Sequence, residues 1–264
     1  MADDKQLLDK QIGVWDRMSA FYENEIDVRF APIISRMTSL AAPGPEDDVL
    51  DLGAGTGSLA LAIAPLARQV LAVDISPEML GVATVRAGNA GVGNIVFKEG
   101  PGESIPAVDG SFDIIASSLC LMFVLDREKA AAEIARVLRP GGRMVASVWG
   151  GSEECDIVKF QSIAGSFSPE PPPPGCGPGS LADLTGFVDQ LSGNGLKIAV
   201  KKEIFEFEFP DLESAWNVLA GVTSANLSPE IRKRAIEAVR SEMWQDPREP
   251  RVFRNLTQFV IGTK

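Results

Sequence analysis

Short apolar, β-branched runs alternate with segments of helical periodicity between Asp48 and Trp149. This alternation is typical of βαβ units, in which parallel strands form one sheet and the connecting helices cover it. The clearest helical pattern spans 126–138, where apolar residues share one face, Asp126 can cap the first turn and the PGG sequence at 140–142 stops the helix. The apolar runs predict five strands: VLDLG (49–53), VLAVDI (70–75), IVFKEG (95–100), FDIIASS (112–118) and RMVASVW (143–149).

The segments on either side of this region have other patterns. Residues 5–41 are predicted to be helical, because aromatic and aliphatic side chains are spaced there to share one face. The proline-rich stretch 168–179 cannot continue a helix or a central strand, so it is predicted to be a loop. A helix is expected over 180–195. Residues 197–209 alternate Phe with Glu toward their end, which predicts a strand with one wet face near a sheet edge.

The last part of the chain adds helices before a final strand. Two helix candidates lie within 211–246, and the second begins with Ser228 as its cap and Pro229 at the first helical position. The final strand is expected at 253–264. Together the patterns predict an α/β fold with seven strands, in which a β-helix-β insertion precedes the end of the chain.

Composition and charge narrow the class of protein. The 264 residues suit one large domain, and 45% hydrophobic with 23% charged residues is typical of a soluble globular protein. The formal net charge of −11 argues against binding to nucleic acid or to an anionic membrane, since both require clustered Lys and Arg. The N-terminus is too charged for a secretory signal, and no apolar run approaches the about 18 residues of a membrane span. We therefore expect a cytoplasmic protein that acts on a small molecule.

The cysteine and histidine counts exclude some chemistry. The three cysteines, Cys120, Cys155 and Cys176, are odd in number and widely spaced, which favours neither a disulfide framework nor a CxxC metal site. The chain contains no histidine, the commonest metal ligand and the commonest general base at neutral pH. We therefore expect no metal site.

The stretch VLDLGAGTGSLA (49–60) places three glycines at alternate positions behind an apolar run that contains Asp51. Asp74 ends the next predicted strand, 23 residues later. A strand, a glycine turn and a second acidic residue form the common plan of nucleotide sites, since the glycines admit the ligand and the carboxylate accepts hydrogen bonds from ribose. The glycines alone could also make only a tight strand-to-helix turn.

Two details discriminate between cofactors. The dinucleotide fingerprint GxGxxG/A requires Gly or Ala where this chain has Ser58, and the charge of Asp51 would repel a pyrophosphate. NAD is therefore disfavoured. S-adenosylmethionine has no phosphate but carries an ammonium group and a ribose, so carboxylates at Asp51 and Asp74 suit it.

Five segments in order resemble the motifs of class I S-adenosylmethionine-dependent methyltransferases: LDLGAGTGSLALA, VLAVDISPEML, GPGESIP, FDIIASSLCLMFVLD and EIARVLRPGGRMVASVW. The resemblance is strong over residues 10–150, and the nearest branch is a small-molecule group that includes quinone-biosynthesis enzymes. It implies one domain with a Rossmann-like, seven-stranded, mostly parallel sheet and helices on both faces. The expected parts are an N-terminal helical cap (1–41), a cofactor-binding core (42–150) and a substrate-side region (151–264).

The resemblance also implies roles for individual residues. Asp51 would hold the cofactor ammonium, Asp74 the ribose hydroxyls, and Met79 one side of the adenine ring. The family often has an Asp-Ala pair after the third strand, whereas this chain has Pro101-Gly102, so adenine recognition is left to the Gly102 backbone or to Glu103. The complete expected cofactor set is Asp51, Gly53, Ala54, Gly55, Thr56, Gly57, Asp74, Ile75, Met79, Gly102, Glu103, Ser117, Ser118 and Leu119.

The acceptor is less constrained than the cofactor. Related enzymes that methylate hydroxyl or carbon acceptors often place a histidine near LCLMF (119–123), and this chain has none. The acceptor is therefore expected to be nucleophilic already (an amine, thiol, carboxylate, acidic phenol or enol) or to be deprotonated by a carboxylate or by Tyr22, which could equally be a packing residue. The expected pocket, suited to a hydrophobic or aromatic metabolite, comprises Trp15, Met18, Phe21, Met122, Phe123, Trp149 and Trp216.

The predicted function is methyl transfer to a small acceptor by in-line displacement without a histidine base. One alternative is a protein that binds S-adenosylmethionine for a non-methylating reaction or as a sensor, because cofactor motifs persist when chemistry changes. An NAD(P)-dependent oxidoreductase and a metalloid methyltransferase that uses the three thiols have weaker support. The absence of an Asn- or Asp-Pro-Pro-Tyr sequence argues against methylation of nucleic-acid bases. Either a monomer or a homodimer is compatible with the sequence.

Overall fold

A single mixed sheet of seven strands organises the protein, in the order β3-β2-β1-β4-β5-β7-β6. The computed structural model describes residues 2–169, 172–224 and 227–264. Strands β1 to β5 pair in parallel, whereas β7 runs antiparallel to both of its neighbours. The predicted fold class is confirmed. The strands are β1 Asp48–Leu52, β2 Gln69–Asp74, β3 Ile95–Glu99, β4 Phe112–Ser118, β5 Leu138–Trp149, β6 Lys197–Phe209 and β7 Arg251–Thr263.

Helices precede, connect and follow these strands. The α-helices are α1 Ala2–Tyr22, α2 Val28–Ala41, α3 Ser58–Ile63, α4 Pro77–Asn89, α5 Arg127–Val137, α6 Asp156–Gly165, α7 Thr185–Gly193, α8 Leu212–Leu219, α9 Gly221–Ser224 and α10 Pro229–Met243. A π-helical turn, Glu23–Asp27, joins α1 to α2, and short 3₁₀ turns occur at Ala64–Leu66 and Leu121–Phe123. None of the helices within the described ranges is long and apolar enough to cross a membrane.

The predicted helix caps are present. The Asp126 carboxylate accepts a hydrogen bond from the Lys129 amide at the start of α5, and the Ser228 hydroxyl accepts one from Ile231 at the start of α10. Both side chains satisfy an amide that the first helical turn leaves without a backbone partner. The sequence pattern therefore located both helix starts correctly.

Three element predictions need correction. Strand β5 begins at Leu138 instead of 143, because the chain pairs with β4 directly after α5 and the PGG sequence lies within the strand, at a shift of register. Residues 180–184 are not helical, and α7 starts only at Thr185. Helix α6 was not predicted; it is buried through Ile157, Phe160 and Ala164 among other residues, so it lacks a clear polar face.

The proline-rich loop agrees with its prediction where it is described. Residues 168–169 and 172–179 contain neither helix nor strand, and positions 170 and 171 of the predicted loop lie outside the described residues. Arg127 fixes the loop to the turn after β4 by donating hydrogen bonds to the Met122 carbonyl and the Ser180 hydroxyl. The loop is therefore attached at the same end of the sheet as the carboxyl ends of β1 and β4.

The N-terminal helices pack against the sheet through different amounts of buried surface. Helix α2 buries Ile33, Met37 and Ala41 completely. Arg143 of β5 donates a hydrogen bond to the carbonyl of Ala41 at 2.7 Å and so closes the end of this helix. Helix α1 lies farther out and spans the carboxyl ends of the central strands, where the candidate site is found.

Candidate active site

A cavity lies at the carboxyl ends of β1, β2 and β4, where ligands bind in open α/β sheets. Its empty space is about 1030 Å³ when the opening to solvent is included. The loops after these strands form the floor, while α1, the π-helical turn and α2 form the roof. It is lined by Leu8, Gln11, Trp15, Tyr22, Asp27, Phe30, Ile34, Asp51, Leu52, Gly53, Ala54, Gly55, Thr56, Ser58, Leu59, Asp74, Ile75, Met79, Gly100, Gly102, Glu103, Ser118, Leu119, Cys120, Phe123 and Val124.

The glycine loop after β1 adopts a conformation that side chains would strain. Gly53, Gly55 and Gly57 have φ angles of 74°, 52° and 83°, in the left-handed region that favours glycine. The Gly53 amide donates to the carbonyl of Val73, so the loop is attached to β2. A Cβ on Gly53 would lie 2.1 Å from the Cys120 sulfur, which excludes any larger residue there. The bare backbone of Gly53 and Gly55 thus borders the cavity.

Asp51 is a buried carboxylate without a hydrogen-bond partner. Its side chain is 1% exposed, and neither oxygen accepts a hydrogen bond from any described residue. Burial raises its pKa to about 7; the nearby Ala60 amide opposes this rise, and the charge of Asp74 adds to it. A buried, unpaired carboxylate is unfavourable. Because Asp51 lines the cavity, a cationic ligand group there would supply the missing partner.

Asp74 is held in place at the end of β2. One oxygen accepts a hydrogen bond from the Gly55 amide at 2.8 Å, and the other accepts one from the Ser76 amide at 2.9 Å. Burial raises the pKa of Asp74, and these amides oppose the rise. A carboxylate oxygen has a second lone pair after accepting one hydrogen bond. Asp74 can therefore also accept hydrogen bonds from ligand hydroxyls.

Glu103 and Leu119 border the other end of the cavity. One oxygen of Glu103 accepts hydrogen bonds from the amides of Leu125 and Asp126, which fixes the segment between β4 and α5. Leu119 has a φ of 52°, a left-handed conformation that is uncommon outside glycine, and its amide donates to the Ser147 carbonyl of β5. Strained residues of this kind cluster at functional sites.

The N-terminal lid, defined as α1 and the π-helical turn (residues 2–27), makes one side-chain hydrogen bond to each of the three loops. Gln11 donates to the Phe123 carbonyl after β4 at 2.7 Å. Asp16 accepts from the Ser76 hydroxyl after β2 at 2.6 Å. Asp27 accepts from the Thr56 hydroxyl after β1. The lid thus contacts every loop that forms the floor of the cavity.

Arg86 of α4 reinforces the lid contact at Asp27. Its guanidinium donates to the Asp27 carboxylate at 2.7 Å, to the Thr56 carbonyl at 2.8 Å and to the Ser58 hydroxyl at 3.1 Å. Burial raises the pKa of Asp27, while Thr56, Ser58 and Arg86 oppose the rise. π-helical turns occur frequently at functional sites, and this one directs Asp27 at the glycine loop.

Aromatic side chains cover the cavity. Trp15 meets Phe123 edge-on at 5.0 Å between ring centroids and Tyr22 at 6.5 Å, and Phe30 lines the wall that α2 contributes. Burial raises the pKa of Tyr22, and the charges of Asp27 and Asp74 raise it further. The phenol is therefore protonated at neutral pH, where it can donate a hydrogen bond but is not a ready base.

Several residues expected at the site lie elsewhere. Gly57 packs against Ala83, and the buried Ser117 hydroxyl donates to the Leu52 carbonyl. Trp149 is separated from the cavity by Phe30, whose ring lies 5.4 Å away, and Trp216 packs on Phe160 in the core. The expected cofactor and acceptor residues that do not line this cavity are Gly57, Ser117, Met18, Phe21, Met122, Trp149 and Trp216.

Helix residues account for most of the lining that the sequence did not reveal. Leu8 and Gln11 share a face of α1 with the expected Trp15, and Phe30 and Ile34 of α2 follow Asp27 of the π-helical turn at helical spacing. This spacing is a detectable signal, but a helix face that packs into a core produces the same pattern.

The charge of the cavity decides which cofactor fits. Asp27, Asp51, Asp74 and Glu103 line it, and no Lys or Arg is among its lining residues within the described ranges. A pyrophosphate would meet only carboxylates there. S-adenosylmethionine fits, because its ammonium group can pair with Asp51 and its ribose hydroxyls can donate to Asp74.

Comparisons with known proteins agree with this geometry. Residues 50–146 match the family model described as a methyltransferase domain. The chain is 43% identical over 100 residues to the uncharacterized methyltransferase YcgJ of Bacillus subtilis, covering 38% of this chain and 40% of that relative. It is 38% identical over 144 residues to the ubiquinone/menaquinone biosynthesis C-methyltransferase UbiE of Francisella tularensis subsp. novicida. This match covers 52% of this chain and 58% of that relative. The chain thus spans about half the length of these curated relatives.

A solved structure extends the similarity beyond the matched segment. The crystal structure of YcgJ from Bacillus subtilis superposes with a TM-score of 0.68 at 25% identity and covers 89% of this chain and 98% of that one. The fold, the ordered motifs and the family match agree. Residues 50–146 are therefore similar to a methyltransferase domain, and the chain as a whole shares its fold with the YcgJ structure.

Proposed function

We propose that this protein transfers a methyl group from S-adenosylmethionine to a small, uncharged or cationic acceptor that has a hydrophobic or aromatic body. The observation that carries the proposal is the buried, unpartnered Asp51 in an acid-lined cavity beneath aromatic side chains. When bound, S-adenosylmethionine supplies an electrophilic methyl group on a sulfonium.

Residues of this chain would hold the cofactor at both ends. Asp51 pairs with its ammonium group, and the backbone from Gly53 to Gly55 passes beside the methionine portion. Asp74 accepts hydrogen bonds from the ribose hydroxyls. Ile75, Met79, Gly102 and Glu103 surround the adenine ring, and Ser118 and Leu119 border the methyl-bearing end.

The charges of the cavity constrain the acceptor. A carboxylate or phosphate acceptor would approach four acidic residues without a lining cation, whereas a neutral amine meets no such repulsion; a thiol, phenol or enol meets it only when ionised. Trp15, Tyr22 and Phe123 offer aromatic surfaces to a flat or apolar body. Carboxylate acceptors, which the sequence left open, are therefore disfavoured.

In this reaction the chain positions the acceptor and excludes water, and it contributes less to proton transfer. The pKa of Tyr22 is raised by burial, and so is that of Cys120, so neither is ionised at neutral pH. The acceptor then supplies its own nucleophilic lone pair, and the lid holds it in line with the methyl group. In-line displacement from a sulfonium needs no base when the acceptor is already nucleophilic.

A two-step experiment tests the proposal. Thermal unfolding is measured first with S-adenosylmethionine, S-adenosylhomocysteine or NADH, and stabilisation is expected with the first two only. Release of S-adenosylhomocysteine is then measured with matched acceptors: an aromatic amine, a phenol, a quinol and an aromatic carboxylate. The quinol is included because one curated relative is named as a quinone-biosynthesis C-methyltransferase.

Turnover of an uncharged or amine acceptor, with little on the carboxylate, is the expected result. Stabilisation by NADH alone would overturn the cofactor assignment. Strong turnover of the carboxylate alone would overturn the acceptor class, and tight cofactor binding without turnover of any acceptor would favour the non-methylating or sensory alternative.

A further inference from the structure

Strand β6 forms an unusually long and regular edge of the sheet. It spans 13 residues and pairs only with β7. The register runs without a break from Lys197 opposite Thr263 to Phe209 opposite Arg251. Edge strands of soluble proteins are usually short, bulged or interrupted by proline, because a free edge can pair with another chain. This edge has none of those protections.

The two faces of β6 differ in burial. Glu203 and Phe207 point toward α2, where Glu203 accepts two hydrogen bonds from Arg36 and Phe207 packs on Phe30. On the opposite face, Ile204 is 52% exposed and Val200 is 39% exposed. Val252 of the neighbouring β7 lies on the same face and is 48% exposed, so this face carries exposed apolar side chains interleaved with the charged residues of β6.

The charges along β6 are segregated by sign. Its first half carries Lys197, Lys201 and Lys202, and its second half carries Glu203, Glu206 and Glu208. Charges that served only to prevent pairing would work best with one sign throughout. A segregated pattern instead complements itself in an antiparallel pair, because the basic half of one strand meets the acidic half of the other.

We propose that two copies of this chain pair through their β6 edges, antiparallel, about a two-fold axis at Ile204. In this register Ile204 faces Ile204 of the second copy. Lys202 of each copy faces Glu206 of the other, so the two-fold axis produces two such charge pairs. A shift of the axis to Lys202 or to Glu203 would place like charges directly opposite each other. A shift to Phe205 would pair Lys202 with Glu208 but would place Ile204 opposite Glu206. Charge and apolar contact together therefore favour the register at Ile204.

The residues involved are available for pairing. Lys202 has no ion pair within the part of the chain that the structure describes, and Glu206 has one exposed contact, with Arg254 at 3.4 Å. Glu206 can keep that contact and also receive Lys202, since a carboxylate has two oxygens. The main-chain groups of the strand edge supply the remaining hydrogen bonds.

The charge pairs give a direct test by sedimentation equilibrium of the full chain. The wild type is expected to be a dimer at micromolar concentrations. Lys202→Glu and Glu206→Lys should each weaken it about tenfold or more, because two attractive pairs become repulsive. The double variant Lys202→Glu/Glu206→Lys should restore the dimer. Lys233→Glu, an exposed change of the same charge on α10, should have no effect.

Disulfide trapping tests the register. Ile204→Cys should form a disulfide between copies on mild oxidation, since directly opposed Cα atoms lie about 4.5–5.5 Å apart. Val200→Cys should not form this disulfide, because position 200 faces Glu208 of the second copy. The wild type, oxidised in the same way, shows whether the native cysteines form disulfides between copies.

The proposal would be overturned by a monomeric wild type, by a dimer whose affinity is unchanged in both charge-reversal variants, or by a double variant that stays monomeric. Far-UV circular dichroism of each variant identifies any that fails to fold. None of these outcomes depends on the methyl acceptor or on the proposed function.

Discussion

Asp51 is expected to change its protonation state when a cationic ligand group binds. In the free protein its pKa is raised from 3.8 to about 7 by burial, so the native state retains a proton that the unfolded chain has lost. The contribution of Asp51 to stability is therefore present below about pH 3.8 and is lost as the pH rises through 7. A cationic ligand reverses the preference, because it pairs with the ionised form.

This reversal predicts that cofactor affinity depends on pH. If only ionised Asp51 binds the ammonium group, the dissociation constant of S-adenosylhomocysteine should fall about tenfold from pH 6 to pH 8. Isothermal titration calorimetry at several pH values measures this directly. Asp51→Asn should weaken binding and remove the dependence, whereas Asp109→Asn, an exposed change elsewhere, should leave both unaltered. A wild-type affinity that is constant over this range would contradict the assigned role.

Two glycines of the same loop offer a matched comparison of stability. Gly53→Ala should be the more destabilising, by roughly 2–4 kcal/mol, because it adds a collision with Cys120 to a strained φ. Gly55→Ala has a similar φ but no atom within 4 Å of the added carbon, so about 1 kcal/mol is expected from strain alone. Urea unfolding measures the free energy of unfolding of both variants. Equal losses of stability would show that the contact with Cys120 can relax.

Most lining residues on the loops could be assigned from sequence, whereas several on the N-terminal helices could not, although Trp15 and Tyr22 were. Asp51 and Asp74 occupy fixed positions in ordered motifs, and the structure places both at the cavity. Gln11 and Ile34 were missed because the direction of a helix face depends on how the helix docks. Trp149 and Trp216 were expected in the pocket but lie outside the cavity lining, because aromatic side chains fill cores as readily as pockets.

At the scale of elements, the lid depends on the contact between Asp27 and Arg86. Asp27→Asn removes the shorter of the two ion pairs of the mostly buried Arg86 guanidinium and leaves the one with Glu23 at 3.3 Å, which should cost about 1.5–3 kcal/mol of local stability. Faster hydrogen exchange in residues 2–27 and weaker binding of S-adenosylhomocysteine are expected.

The exposed pair formed by Glu25 and Arg29 provides the control. Glu25→Gln should change both measurements little, because exposed ion pairs contribute at most about 1 kcal/mol. If Asp27→Asn behaved like Glu25→Gln, the lid would be held by its apolar contacts instead.

Elements with two consistent signals were predicted best. The helices α5 and α10 combine periodicity with a cap, and both start where expected. The central strands combine apolar runs with flanking turns and differ from prediction by one or two residues, apart from the early start of β5. Helix α6 was missed because its buried surface leaves no periodic contrast between apolar and polar positions. Residues 180–184 were wrongly predicted to be helical because Ser180 is a typical helix cap, whereas its hydroxyl accepts a hydrogen bond from Arg127 and donates one to the Met122 carbonyl instead.

At the scale of the whole molecule, the site is assembled from parts that are distant in sequence. The floor comes from loops after three parallel strands, and the roof comes from α1 and α2, which precede the first of those strands. Topology brings the parts together, because the carboxyl ends of parallel strands meet at one edge of the sheet. The two roof helices differ in burial, so the fold and the binding function are separable by truncation.

Removal of residues 1–22 should therefore leave a folded protein that binds its cofactor poorly. Helix α1 buries Met18 and few other side chains, whereas α2 fills the core with Ile33 and Met37. The shortened chain should still unfold cooperatively but bind S-adenosylhomocysteine at least about tenfold more weakly, a loss of about 1.4 kcal/mol, since Gln11 and Trp15 no longer cover the site. Removal of residues 1–41 should abolish cooperative unfolding. Unchanged affinity after the shorter truncation would show that α2 and the loops suffice, and loss of the fold would show that α1 belongs to the core.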